Sequence, residues 1–269
     1  MGMENCKGKI VDSRVSDDII QTSPNSLLSS IFGGSFILMV SEFANGEKNM
    51  CTDIEHVQKL QSKSIHPIFR LYGWQPWAVS IGFHQSMNHI SVSECSKRGI
   101  DIVRRPTGGR AVLHANEVTY SIVTYCDNQQ EWYKNIHTLL LGCLQSYSSE
   151  ITFEKNNPEI MNFRRTNPET SKMCFSSSAR YELKFRGKKI VGSAQRMYKN
   201  VLLQHGSILL DQSHETIYSL LNNTKEVNTS DLLDSLRNSS TNLEDVVGKP
   251  VSWNNCVQQI TSHIYTLLP

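Results

Sequence analysis

No Cys-x-x-Cys pair occurs among the 269 residues. The seven cysteines, Cys6, Cys51, Cys95, Cys126, Cys143, Cys174 and Cys256, are odd in number and irregularly spaced. That pattern excludes a disulfide framework and a cysteine zinc site, and it suits a reducing compartment in which a thiol is by default a small buried hydrophobe. Net charge is nearly lacking too. Lys and Arg exceed Asp and Glu by only 27 to 25, and there is no basic stripe of the kind a general nucleic-acid binder carries. Long apolar runs are missing. The most apolar stretch, residues 26–43, is broken by serines and by Gly33-Gly34, so it makes a poor membrane span. The opening residues, MGMENCKGKIVDSRVSDD, hold acids and no early apolar block, unlike a secretory signal. The expectation is a soluble, cytoplasmic protein without nucleic-acid or membrane partners. No internal repeat is visible.

What is present reads as alternating strands and helices. Residues 1–34 have weak periodicity and are expected to form an extension, with one catalytic domain over 35–269. Phe36–Phe43 reads as a buried strand. Asn45-Gly46 is a turn signal, and Asn49 is a candidate cap for a helix with Met50, Ile54, Val57 and Leu60 on one face. Residues 67–85 read as two strands around Trp-Gln-Pro-Trp, and Ser91–Arg98 as a short helix. Gln129–Ser149 is the clearest helix, with Trp132, Ile136, Leu140 and Tyr147 at helical spacing. Residues 156–173 form a polar stretch with two prolines, an uncommonly long loop for a compact domain. From Tyr181 to Leu210 three strands follow with tight turns, a β-meander. The tail is helical at roughly 215–222, 230–236, 242–247 and 252–268, the last capped by Ser252. Antiparallel runs with helices between and after them give an α+β class.

Three features carry possible chemistry. In RRPTGGRAVLH, residues 104–114, two glycines sit between strand-like runs and among three arginines. They make either a hairpin turn or a loop whose backbone a ligand approaches. Cys174, in MCFSSSARYE, ends the polar loop and lies on no obvious apolar stripe; it is a buried filler or a nucleophile. Lys189 precedes Gly192, Ser193 and Ala194, side chains small enough for close approach by a ligand. Strict alternation puts Lys189 with Val191, Ser193 and Gln195, opposite Gly192 and Ala194. A lysine beside a cysteine is a workable catalytic pair, because an ammonium favours the thiolate.

Taken in order, RRPTGGRAVLHANEVTYS, CFSSSARYEL, GKKIVGSAQR and LLQHGSILL resemble the biotin/lipoate protein ligase catalytic family. Within it they are most similar to the octanoyltransferases of lipoate assembly. NMCTDIE, residues 69–85 and GKPVSW fit as well, so the likeness runs from about 36 to 269. It implies a central mixed, largely antiparallel sheet packed with helices, as in biotin ligases and class II aminoacyl-tRNA synthetases. It implies transfer of octanoyl from octanoyl-acyl carrier protein, through a thioester on Cys174, to a lysine of a lipoyl domain such as glycine cleavage protein H. By the same likeness Lys189 lowers the thiol pKa, Arg105, Thr107, Gly108 and Gly109 form the acyl-binding loop, and Gly192, Ser193 and Ala194 line the substrate. His114 and His205 match motif histidines, or else are hydrogen-bonded core residues. Neither metal nor cofactor is implied. Lys184, Arg186, Lys188 and Arg164-Arg165 either steer acidic protein partners or are ordinary solvated charges.

Three other readings share these residues. An ATP-dependent lipoate–protein ligase needs no cysteine, and Cys174 beside Phe175 favours the transferase. So does the short stretch after GKPVSW. An amidotransferase acting between two lipoyl domains would use the same thiol. A non-catalytic module binding acylated carrier proteins would need the pocket but no reactive sulfur.

Overall fold

The structure is a computed structural model and describes residues 19–153, 181–222 and 229–269. Cys174, Arg164, Arg165 and the polar loop lie outside the described residues.

The large sheet has six strands: β1 (Ile19–Gln21), β2 (Ser35–Val40), β3 (Ile68–Tyr72), β7 (Glu117–Tyr125), β12 (Val201–Leu209) and β11 (Val191–Tyr198), in that spatial order. Within this sheet, among the described residues, β2 and β3 pair in parallel and the other neighbours pair antiparallel. A second sheet has the order β5 (Asp101–Arg104), β4 (Ala78–Ile81), β6 (Val112–His114), and a third has β10 (Lys188–Lys189), β9 (Leu183–Phe185), β8 (Ile151–Phe153).

Alternation along the central strands sorts the layers. Phe69, Leu71, Val118, Tyr120 and Ile122 meet α1 (Leu27–Phe32), α4 (Gln129–Leu144) and the last helix (Trp253–Thr266) through Ile31, Ile136, Leu140 and Ile260 in the main core. On the opposite face Val123, Val201 and Leu203 meet Val57 and Leu60 of α2 (Gly46–Gln61). The β5-β4-β6 sheet has its own core with α3 (Val92–Lys97) and the 3-10 helix Gln212–Leu220. Helices at Thr229–Ser239 and Leu243–Val247 complete the tail. No helix among the described residues is long and apolar enough to cross a membrane.

Several sequence expectations need correction. Residues 19–34 are not a loose extension: they supply β1 and α1, and Leu28, Ile31 and Phe32 are buried. The cap of α2 is Asn45, whose side chain accepts from the Lys48 N–H; Asn49 is one turn inside, fully buried and bonded to Arg70. The stretch 104–114 is not a hairpin, because β5 and β6 both pair with β4 and never with each other. The three-strand meander is split at Ile190. Its N–H bonds the Leu183 carbonyl of the third sheet, and its carbonyl accepts from Leu209 of the large one. Four cysteines, Cys95, Cys126, Cys143 and Cys256, are buried free thiols as expected, whereas Cys51 is disulfide-bonded.

Candidate active site

Between the large sheet and β5-β4-β6 lies a cavity of about 150 Å³. Met50, Tyr72, Trp74 and Val112 give it apolar walls, and Gly192, Ala194 and Gly206 keep one side bare of bulk. Lys189, Glu182, His114 and His205 line it together with the titratable Tyr72 and Arg105. Lys189 is 5% exposed, and its Nζ lies 2.6 Å from Oε1 of Glu182, itself 3% exposed. A buried ammonium requires such a partner. Strict alternation separates Lys189 from Gly192 and Ala194; the break at Ile190 resets the phase and brings all three to one cavity.

The stretch 104–114 forms a loop across the mouth of β4. Arg105 shapes it from within. Its Nη1 donates to the Ser80 carbonyl and Oγ at 3.0 and 3.1 Å, Nε and Nη2 donate to the Gly108 carbonyl, and Nη2 reaches the Arg110 carbonyl at 2.6 Å. Gly109, at φ 94°, packs on Gly82 so closely that a Cβ at Gly82 would sit 1.9 Å from the Gly109 carbonyl oxygen. Gly109 lines the cavity, whereas Gly108 spends its carbonyl on Arg105.

Both motif histidines are buried in polar networks. His205 Nδ1 faces Asp53 at 3.1 Å and its Nε2 faces the Thr107 hydroxyl at 2.7 Å. Burial lowers the His205 pKa, against the pull of Asp53. The neutral ring therefore donates from Nδ1 to Asp53 and accepts from Thr107 at Nε2. Burial raises the Asp53 pKa, yet the His205 hydrogen bond, Arg70 and Ser121 together hold it below the ordinary value. His114 stacks on Trp74 at 4.0 Å, meets Ser80 Oγ at 2.7 Å, and faces Glu117 at 2.8 Å. Ser193 meets Tyr120 Oη at 2.7 Å and His137 Nε2 at 3.0 Å. Gly206, opposite it on β12, makes room: a Cβ there would lie 2.4 Å from the Gly192 carbonyl oxygen.

An apolar slot with a buried ammonium in its wall suits an extended acyl chain whose polar end stops at Lys189. The Lipoyl protein ligase A/B catalytic domain model matches residues 45–265. Octanoyltransferase LipM of Brevibacillus brevis is 35% identical over 229 residues, 82% of each chain, and that of Bacillus subtilis 32% identical over 211, 76% of each. The chain belongs to this family. It is an acyltransferase of the lipoyl protein ligase A/B fold. Among solved structures, a lipoate-protein ligase A bound with ATP superposes with a TM-score of 0.62 at 20% identity, covering 86% of this chain and 84% of that one. The bi-partite lipoate protein ligase of Thermoplasma acidophilum gives 0.61 at 19%, covering 86% and 82%. At such identities the likeness is one of fold.

For this lipoyl-ligase-family chain, Arg105, Gly109, His114, Lys189, Gly192, Ser193, Ala194 and His205 line one cavity, and Thr107 stands behind His205. Arg186, read as a rim charge, is held by Glu150 in two 2.8 Å contacts. Sequence reading missed Asp53, Arg70, Glu117, His137 and Glu182. Asn49, Asp53 and His56 had left a trace: three polar residues at helical spacing beside the apolar stripe of α2, all buried.

Proposed function

We propose that this acyltransferase takes octanoyl from the thioester of octanoyl-acyl carrier protein, holds it on Cys174, and passes it to a lysine of a lipoyl domain, with glycine cleavage protein H as the acceptor. The observation that carries the reading is the buried Lys189 in the wall of an acyl-sized apolar cavity. Cys174 lies eight residues before Glu182 in sequence, within chain reach of that wall at about 3.3 Å per residue. An ammonium at Lys189 favours the thiolate, the form that attacks an acyl thioester. Glu182 holds the lysine in place.

Walls from both sheets then have a division of labour. Met50, Tyr72, Trp74 and Val112 bind the hydrocarbon, and the Arg105-folded loop covers it. His114 and His205 are hydrogen-bonded positioning groups in this account, each tied to a carboxylate. Thioester to amide transfer runs downhill, so the reaction calls for neither nucleotide nor metal.

The test is intact-mass analysis after mixing with octanoyl-acyl carrier protein and no nucleotide. The expected result is one octanoyl adduct, mapped to Cys174 and discharged by a lipoyl domain. Cys174→Ala should take up none, and Lys189→Ala should acylate at least about 100-fold more slowly at neutral pH. Octanoyl transfer by Cys174→Ala at the wild-type rate would end the covalent account. Modification of the lipoyl domain only with lipoate and MgATP would move the chain to the ligase branch.

A further inference from the structure

Glu182 uses only half of its carboxylate. Oε1 meets Lys189 Nζ at 2.6 Å, while Oε2 is buried without a hydrogen-bond partner among the described residues. The side chain lines the cavity. An unpaired oxygen on a buried carboxylate is costly, and its natural complement is a cation or an N–H donor. An acceptor lysine brings such a group. Its amine is an ammonium at neutral pH and cannot attack until it loses a proton.

We propose that Glu182 receives the acceptor lysine: Oε2 binds the incoming ε-ammonium and takes the proton that must leave before the amine attacks the octanoyl thioester. This rests on the thioester reading above. Lys189 strengthens the effect. Two ammonium groups then share one carboxylate, and like charges disfavour the protonated amine. The step balances. One proton passes from the ε-ammonium to Glu182 and on to solvent. The freed lone pair forms the C–N bond to the thioester carbonyl carbon, the C–S bond breaks, and its electron pair leaves on the Cys174 sulfur. The extra proton still on nitrogen goes to that thiolate, leaving amide and thiol with no change of oxidation state.

Glu182→Gln tests this. The amide keeps the shape and an oxygen for Lys189 but is not a base. Enzyme preloaded with octanoyl is mixed with a lipoyl domain or with hydroxylamine, which is neutral at pH 7. Discharge to the lipoyl domain should fall about 100-fold in the variant, as for loss of a general base. The gap should narrow toward pH 10, where lysine deprotonates unaided, and hydroxylamine should discharge both proteins alike. Glu182→Asp, which keeps the base, should recover part of the rate and guards against a folding defect in the amide variant. Equal losses with both nucleophiles, a gap indifferent to pH, or no loss would overturn the assignment. If wild type takes no octanoyl on Cys174, the thioester reading fails separately. Steady-state transfer from octanoyl-acyl carrier protein then decides Glu182: a gap that closes at high pH supports it, and a constant gap overturns it.

Discussion

Asp53 is fully buried, and Arg70, Tyr72, Ser121 and His205 all bond to it. Removing one partner of such a set strands the others in a place without water. Asp53→Ala should therefore cost about 3–5 kcal/mol, measurable by urea unfolding. If the cost were below about 1 kcal/mol, as for an exposed ion pair, the network would not matter to the fold. At this scale the sequence exposed one half of each pair. Lys189 stood out because small residues follow it, but its partner Glu182 hid in an alternating YELKFR strand. His205 stood out in HGS, but Asp53 lay 152 residues away on a helix read for its apolar face. Pairing between distant residues leaves no local periodicity, so only the more conspicuous member was legible.

The loop 104–114 shows what element-scale reading can and cannot do. Two glycines between two strand-like runs do mark a reversal, and both strands exist. Which strands pair is a tertiary matter: β4, from twenty residues upstream, inserts between them. The glycine that the loop most depends on is outside it. Gly82→Ala puts a methyl group against the Gly109 backbone, so it should destabilise by on the order of 1–3 kcal/mol and displace the loop. Melting temperature and the rate of octanoyl transfer would both report it. Unchanged values for both would mean the loop position is not set by that contact. The helices were the more legible elements. The short helix after Ser91, the Ser252 cap, and Ile136 and Leu140 on the inward face of the helix from Gln129 follow from local chemistry and are found, although that helix ends at Leu144 rather than Ser149. The cap of α2 slipped by one turn because Asn45 and Asn49 are equivalent by composition, and only the fold consumes Asn49 in the core.

For the whole molecule, buried histidines set the response to acid. Burial lowers His137 and His56 from 6.5 to about 4, with Arg70 adding to the effect at His56 and the Tyr181 carbonyl opposing it at His137. A histidine whose folded pKa lies below its unfolded one stabilises the protein fully above the unfolded value. That contribution is lost as pH falls from 6.5 toward about 4, where the unfolded chain binds protons the folded one refuses. Each group is worth on the order of 3 kcal/mol across the window. Urea midpoints should fall steadily over this range. His56→Phe, which removes one titrating ring and a buried nitrogen without a partner among the described residues, should make the slope shallower. A midpoint flat from pH 7 to pH 4.5 would show that these rings accept protons inside the fold.

Asp53 and His205 also impose an order of events on biosynthesis. As the chain leaves the ribosome, Arg70 follows Asp53 by 17 residues and can join it early, whereas His205 arrives 152 residues after it. The cavity draws its lining from along the chain, with Met50 at one extreme and Ser207 at the other. No nascent fragment ending before β12 can enclose this cavity, so it is completed only when most of the chain has been translated.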